Sequence, residues 1–195
     1  MRKILKIKYV IALVLAFWIG IFLYNYYRKW KEDSFDREIL AAAANHNINP
    51  ALIKAVIWRE SKFNPNAIGK RGEIGLMQIM PATANEWAAA KKLRTFIITD
   101  LFSPSNNIDC GTWYLKKSLS RYQMTDNPLP YGLADYNAGR ANVLKWMKGE
   151  AATNSVEFIN QITFSSTKNY VISILERFRY YNENWLPTVT PSKTE

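Results

Sequence analysis

Nineteen consecutive residues, Tyr9 to Tyr27, carry no charge, and most are apolar. As a helix they span roughly 28 Å, close to the thickness of a bilayer's hydrocarbon core. A soluble domain of ordinary size rarely has room for such a run, because its helices need a polar face. The run predicts a membrane-spanning helix at 9–27 and leaves everything after it to fold as a separate body. Tyr9 at one end and Tyr24, Tyr26 and Tyr27 at the other suit the two membrane interfaces. The stretch Phe22-Leu23-Tyr24-Asn25-Tyr26-Tyr27 has no small-residue cleavage pattern, and the chain's one cysteine, Cys110, lies far downstream. An uncleaved anchor is therefore expected rather than a removed signal or a lipid-modified cysteine.

The net charge of +10 follows from this anchor. Arg2, Lys3, Lys6, Lys8, Arg28, Lys29 and Lys31 fall in the first 31 residues, which contain no acid; the rest of the chain is only +3. The basic excess reads as a membrane flank and argues against a nucleic-acid partner. Four basic residues precede the run and three follow it. That bias predicts a cytoplasmic basic tail at 1–8 and a domain outside the membrane. One cysteine excludes an internal disulfide, and with a single histidine (His46) there is no zinc set; no metal or cofactor is expected. Cys110, in a segment of helical apolar spacing, reads as a small core residue.

Residues 28–34 read as a short charged connection and 186–195 as a polar, disordered tail. Between them, 35–185 carries helical signals. Phe35 to His46 is alanine-rich. Asn49-Pro50 is a capping residue followed by proline at the first helical position, and predicts a helix to about Ser61. Pro65 reads as a stop. Further helices are expected from Pro81 to Ala90, from about Asn107 to Tyr122, from Pro130 to Asn137 with Gly139 as cap, and along a face marked by Tyr170, Val171, Ile174, Leu175, Phe178 and Tyr181. Lys91–Asn106 is irregular, and Lys70–Ile74 has room for a short hairpin. The fold class is all-α, mainly helical, with an N-terminal transmembrane helix.

Glu60 ends the apolar face formed by Ile53, Val56 and Ile57, seven, four and three places before it. Ionising a carboxyl there is costly, so its pKa should rise into the range a general acid needs. The plain alternative is a helix-end glutamate that is solvated or paired with Arg59 or Lys62. Gly69, Gly72 and Gly75 then allow tight turning and a close approach to a ligand. Gln78 and Met80 offer an amide for hydroxyls and a soft apolar chain for a ring face, which suits a sugar, although core packing is the bland reading for Met77 and Met80. Ala134-Asp135-Tyr136-Asn137-Ala138-Gly139 sets an aromatic and an amide at a helix end.

Three motifs occur in order: Glu60-Ser61-Lys62-Phe63-Asn64-Pro65, Gly75-Leu76-Met77-Gln78-Ile79-Met80-Pro81-Ala82-Thr83-Ala84, and Tyr136-Asn137-Ala138-Gly139. Thr167-Lys168-Asn169-Tyr170-Val171 follows as a fourth. Together they resemble the catalytic domain of soluble-type lytic transglycosylases, over roughly Phe35 to Tyr181. The resemblance implies a lysozyme-like helical fold with Glu60 as the one catalytic acid and base. Its substrate would be the β-1,4 bond between N-acetylmuramic acid and N-acetylglucosamine in peptidoglycan glycan strands, and its product a 1,6-anhydro sugar. Gln78, Met80, Tyr136, Asn137 and Tyr170 would line the groove, and Ser61 would support the helix end. With the anchor, this implies a single-pass protein of the bacterial inner membrane. Its domain would lie on the periplasmic side, working on new glycan or beside a secretion machine that crosses the wall.

The chain departs from the family pattern at Gly69, where serine is common, at Asp135, Arg140 and Glu73. A second acid near Glu60 would permit hydrolysis by water. For Glu73 and Asp135 the expectation is a solvated or paired carboxylate. A hydrolytic muramidase of the same fold and a non-catalytic peptidoglycan-binding scaffold are the alternatives.

Overall fold

The computed structural model describes residues 2–189. The chain forms two compact units that divide after Asp36. The first is one helix, α1 (Arg2–Asp33). Among the described residues it supplies the one helical span long and apolar enough to cross a membrane, with a mean hydropathy of 1.4. Leu13, Phe17, Trp18 and Phe22 all stand open on it.

The helix does not stop where the uncharged run stops. Residues 28–34 were expected as a charged connection, yet α1 continues to Asp33 and leaves only the turn at Ser34 and Phe35. Arg28 and Glu32 (3.8 Å) and Lys29 and Asp33 (3.1 Å) face each other one turn apart. Such pairs each favour the helix by a few tenths of a kcal/mol.

The second unit is helical. It contains α2 (Asp36–His46), α3 (Pro50–Ser61), α4 (Pro81–Ala90), α5 (Pro104–Ser120), α6 (Pro128–Ala138), α7 (Arg140–Trp146), α8 (Ser155–Gln161), α9 (Ser165–Asn184) and α10 (Leu186–Val189). Short 3₁₀ turns lie at Ile98–Phe102 and Gly149–Ala152. α7 and α8 have no counterpart in the sequence reading. The tail expected at 186–195 begins instead with the helical turn α10; 190–195 lie outside the described residues. The hairpin expected at Lys70–Ile74 reduces to two isolated bridges, Ile68 with Ile74 and Ile74 with Ile79.

α3 is the axis of the core. Asn49 accepts a hydrogen bond from the Ala51 N–H (2.9 Å), and Pro50 fits the first helical position, where no N–H is needed. Every residue from Ala51 to Ile57 is buried, with Ile53, Val56 and Ile57 wholly so. Each such side chain contributes roughly 1.5–3 kcal/mol of apolar burial. α9 packs along α3, and α6 packs on both α9 and α5. Buried Lys54 is absorbed by an aromatic cage, its Nζ 4.2 Å from the Trp185 ring centre and 5.6 Å from that of Tyr181.

On the far side, Asp109 of α5 gathers three elements. Its Oδ1 lies 2.8 Å from His46 Nε2, and its Oδ2 accepts from Trp87 Nε1 (3.0 Å) and pairs with Lys91 (2.9 Å). Burial pushes the Asp109 carboxyl up, but His46 and Lys91 outweigh that and hold it well below the usual carboxylate range. Cys110 beside it is fully buried, and burial pushes its thiol up to about 12, as suits an inert core residue.

Candidate active site

α3 ends abruptly because Lys62 (φ +51°) and Phe63 (φ +59°) both take the left-handed conformation, and Phe63 is driven into the core. The stop comes before Pro65. It leaves Glu60 in the last turn, at the end of the buried face, and sends the chain into a looped segment beside it.

That segment is built by backbone pairing. The Gly69 N–H donates to the Glu73 carbonyl (2.7 Å), and the Gly75 N–H to the Ala67 carbonyl (2.8 Å). Ile74 and Ile79 exchange both of their hydrogen bonds, closing a tight turn over Gly75–Gln78. The turn needs positive φ at Gly75 (+76°) and at Gln78 (+49°). Gln78 Nε2 donates to the Gly75 carbonyl (2.9 Å) and the Ala67 carbonyl (3.3 Å), so its amide nitrogen is spent on the loop.

Buried Asn107 of α5 braces the same turn. Its Oδ1 accepts from the Met77 N–H (2.8 Å), and its Nδ2 donates to the carbonyls of Ile74 and Leu101 (2.9 Å each). The sequence reading missed Asn107. Its signal was an amide on the apolar face that also carries Ile108, Gly111 and Leu115.

The result is an open cavity of about 290 Å³. Glu60 from α3, Gln78 and Met80 from the loop, and Tyr136 and Asn137 from α6 line it, joined by Gly69, Lys70, Arg71 and Glu73. The fold thus brings together four of the five anticipated groove residues. The fifth, Tyr170 of α9, donates its O–H to Glu60 Oε1 at 2.6 Å. Tyr136 donates to the Met77 carbonyl (2.9 Å), and Asn137 accepts from Thr167 Oγ1 (2.8 Å). Burial, with Glu60 adding to it, pushes both phenols well above their ordinary range, so they remain O–H donors. Lys70, Arg71 and Thr167 carried no anticipated role.

Burial raises the Glu60 carboxyl to about 7; Tyr170 and Arg59 oppose the rise and Glu73 adds to it. Near neutral pH this group can give a proton in one step and take one in the next. Glu73 behaves oppositely. Its own backbone N–H and the Arg71 N–H and guanidinium hold it below its ordinary value, so it is ionised. Asp135, the other doubtful acid, lies off the cavity. It is buried beside α5, where Arg121 Nη1 (2.8 Å) and the Tyr122 O–H (2.7 Å) donate to its Oδ2.

The Tyr170 bond can be tested without any substrate. Tyr170→Phe removes the donor that favours the ionised form, so the Glu60 titration midpoint should move upward from about 7. A hydrogen bond to a charged group of about 1.5 kcal/mol corresponds to about one unit. Carboxyl-carbon NMR titration reads the change; an unmoved midpoint would show that the bond does not act on the carboxylate.

This arrangement agrees with comparisons to known proteins. The family profile described as "Transglycosylase SLT domain" matches residues 37–159. The soluble lytic murein transglycosylase of Salmonella typhimurium is 34% identical over 142 residues, covering 69% of this chain and 21% of that protein. Membrane-bound lytic murein transglycosylase C of Edwardsiella ictaluri is 32% identical over 128 residues, covering 63% and 35%. The chain spans about a fifth of the length of the soluble relatives. Among solved structures, an inactive glutamate-to-glutamine mutant of lytic transglycosylase Slt from Pseudomonas aeruginosa superposes with a TM-score of 0.71 at 27% identity, covering 77% of this chain and 24% of that one. The 70 kDa soluble lytic transglycosylase of Escherichia coli gives 0.68 at 28% identity, covering 76% and 24%. With its helical fold, its cavity and the matched span all on residues 37–159 and the helices around them, the chain belongs to the transglycosylase SLT domain family.

Proposed function

We propose that this protein is a membrane-anchored peptidoglycan lytic transglycosylase. The observation that carries the reading is Glu60: a carboxyl held at about 7, gripped by the Tyr170 O–H, and open to a cavity lined by amide, thioether and phenol. The names of the relatives and the inactive glutamate-to-glutamine mutant support it.

In this reading protonated Glu60 gives its proton to the glycosidic oxygen between N-acetylmuramic acid and N-acetylglucosamine, and the bond to C1 breaks. The electron demand left at C1 is met by the sugar's own acetamido group. Glu60, now a carboxylate, takes the proton of the muramyl 6-hydroxyl as that oxygen attacks C1 and the acetamido oxygen leaves it. The 1,6-anhydro ring closes, Glu60 is protonated again, and no water is consumed. Tyr170 orients the carboxyl and steadies its ionised form between the two transfers. Gln78, Met80, Tyr136 and Asn137 are assigned to the sugar.

The same proposal makes α1 a single-pass anchor in the bacterial inner membrane, with 35–185 as the catalytic domain on the periplasmic side. The exposed apolar surface of α1 and the membrane-bound relatives support this. Its substrate would then be glycan near the membrane, new strands or wall opened for a secretion machine.

Mass spectrometry of digested peptidoglycan tests the chemistry. Muropeptides ending in 1,6-anhydro-N-acetylmuramic acid are expected. Reducing ends alone would make the protein a muramidase of the same fold, and no release of fragments would make it a binding scaffold.

A further inference from the structure

Gly69 is a glycine for reasons of space. Its φ is not among the positive values of the chain, so the backbone accepts a side chain there. A Cβ on it would lie 2.8 Å from Gln78 Oε1 and closer still to Glu73 Oε2. The place in front of residue 69, on the cavity wall, is filled by the Glu73 carboxylate instead. That carboxylate is fixed from two sides: Oε2 accepts the Arg71 N–H (2.8 Å) and Oε1 accepts Arg71 Nε (3.2 Å). The Glu73 side chain as a whole is 17% exposed, whereas the Arg71 side chain stands 77% open. An ion pair to so solvated a partner does not cancel the acid's charge.

We propose that the Glu73 carboxylate, seated in the space left by the absent side chain of Gly69, is a positioning residue for Glu60 and acts on it through the cavity by its fixed negative charge. This rests on the reading of Glu60 as the acid. The groups around Glu60 are few enough to name. Arg59 on α3 favours its ionised form, as does the Tyr170 O–H from α9. Tyr136 from α6 is a neutral phenol at the cavity wall, and Lys70 and Arg71 lie on the loop with Glu73. Among the described residues, Glu73 is the charged neighbour that favours the protonated form. Burial does most to keep the proton on Glu60 that the first transfer requires, and Glu73 adds to it against the two groups that would remove it. Gly69 and Glu73 are then one device: either residue alone fails to place a charge at that point.

The test uses Glu73→Gln, Gly69→Ser and the double variant in the full chain, with the Glu60 titration followed by carboxyl-carbon NMR. Removing the negative charge favours ionised Glu60, so its midpoint should fall in Glu73→Gln. Gly69→Ser should lower it equally by expelling the carboxylate, and the double variant should add nothing further. In glycan digestion the alkaline limb should move to lower pH, so that the loss relative to wild type is about threefold larger at pH 8 than at pH 5.5. A partly unfolded variant would lower the whole profile without moving the limb. An unmoved midpoint in Glu73→Gln, or additive shifts from the two single changes, would overturn the proposal. Shifted midpoints in a protein that releases no fragments would leave it standing and remove the transglycosylase reading instead.

Discussion

Glu60→Gln should abolish glycan cleavage, with a loss of about 10³-fold or more, while making the folded domain more stable at alkaline pH. The two effects have one cause. Glu60 is expected to act twice in each turnover, as acid toward the leaving oxygen and as base toward the 6-hydroxyl, and glutamine does neither. The amide keeps the size and can still accept from the Tyr170 O–H, so the cavity should survive. The stability change follows from the raised carboxyl. Its ordinary value is 4.5 and its folded value about 7. Between those values the unfolded chain has released the proton while the folded protein keeps it. Wild-type stability therefore falls as pH rises through that window and stays reduced above it. Glutamine has no proton to lose and escapes the penalty, a gain of about 1–3 kcal/mol at pH 8 and none at pH 4. Urea unfolding at the two pH values, beside digestion assays, measures both. A variant as unstable as wild type at pH 8 would mean that the carboxyl is not buried at a cost. Retained digestion would mean that another group donates the proton.

That pairing of lost activity with gained stability separates Glu60 from an ordinary structural glutamate. A helix-end acid held by Arg59 or Lys62 would cost stability when removed. In the structure Lys62 instead lies over the Trp58 ring, and Arg177 approaches the same ring at 4.2 Å. Arg59 lies over the Tyr170 ring, 5.4 Å from its centre, and favours ionised Glu60 by its charge, while the Glu60 carboxyl takes its hydrogen bond from Tyr170.

Much of the helical frame was legible because single residues fix helix ends by local physics. Asn49 and Pro50 start α3, Pro81 starts α4, and Gly139 (φ +82°) closes α6, each at a position the chain itself announces. α7 and α8 were not legible. Each has seven residues, too few to display a period, and each is held by what it buries: Val143 and Trp146 on one, Phe158 on the other. The run of charges after Tyr27 was read as a break, whereas in a helix already formed it continues the helix through one-turn pairs. At the site, the apolar face leading to Glu60 could be read from spacing. The bond from Tyr170, 110 residues later, could not, since it depends on α9 packing along α3. Asp135 and Tyr136 show the limit of reading neighbours together. Adjacent residues on a helix point about 100° apart, so one goes to Arg121 behind α5 and the other to the cavity.

Asn107→Ala should be strongly damaging to the fold, costing about 3–5 kcal/mol. The Asn107 side chain is 1% exposed and serves three backbone groups, so its loss strands the Met77 N–H and the Leu101 carbonyl away from water. The Ile74 carbonyl keeps its bond from the Ile79 N–H (2.9 Å) and is hurt least. A buried donor without a partner costs about 1–3 kcal/mol, and the vacated amide adds a cavity. For a domain of this size the melting temperature should drop by about 10 °C. The loss should also reach the site, because the braced turn carries Gln78 and the carbonyl that holds the Tyr136 O–H. Cleavage measured well below the melting point should therefore fall, beyond what the unfolded fraction explains. Asn107→Asp separates the two halves of the brace. Its carboxylate still accepts from Met77, but it faces the Leu101 and Ile74 carbonyls with no donor, and should be no more stable than the alanine variant. Thermal unfolding of the three proteins decides the matter. A drop of less than 2 °C in Asn107→Ala would show that the turn over Gly75–Gln78 holds itself, and that α5 merely packs beside the cavity it was taken to support.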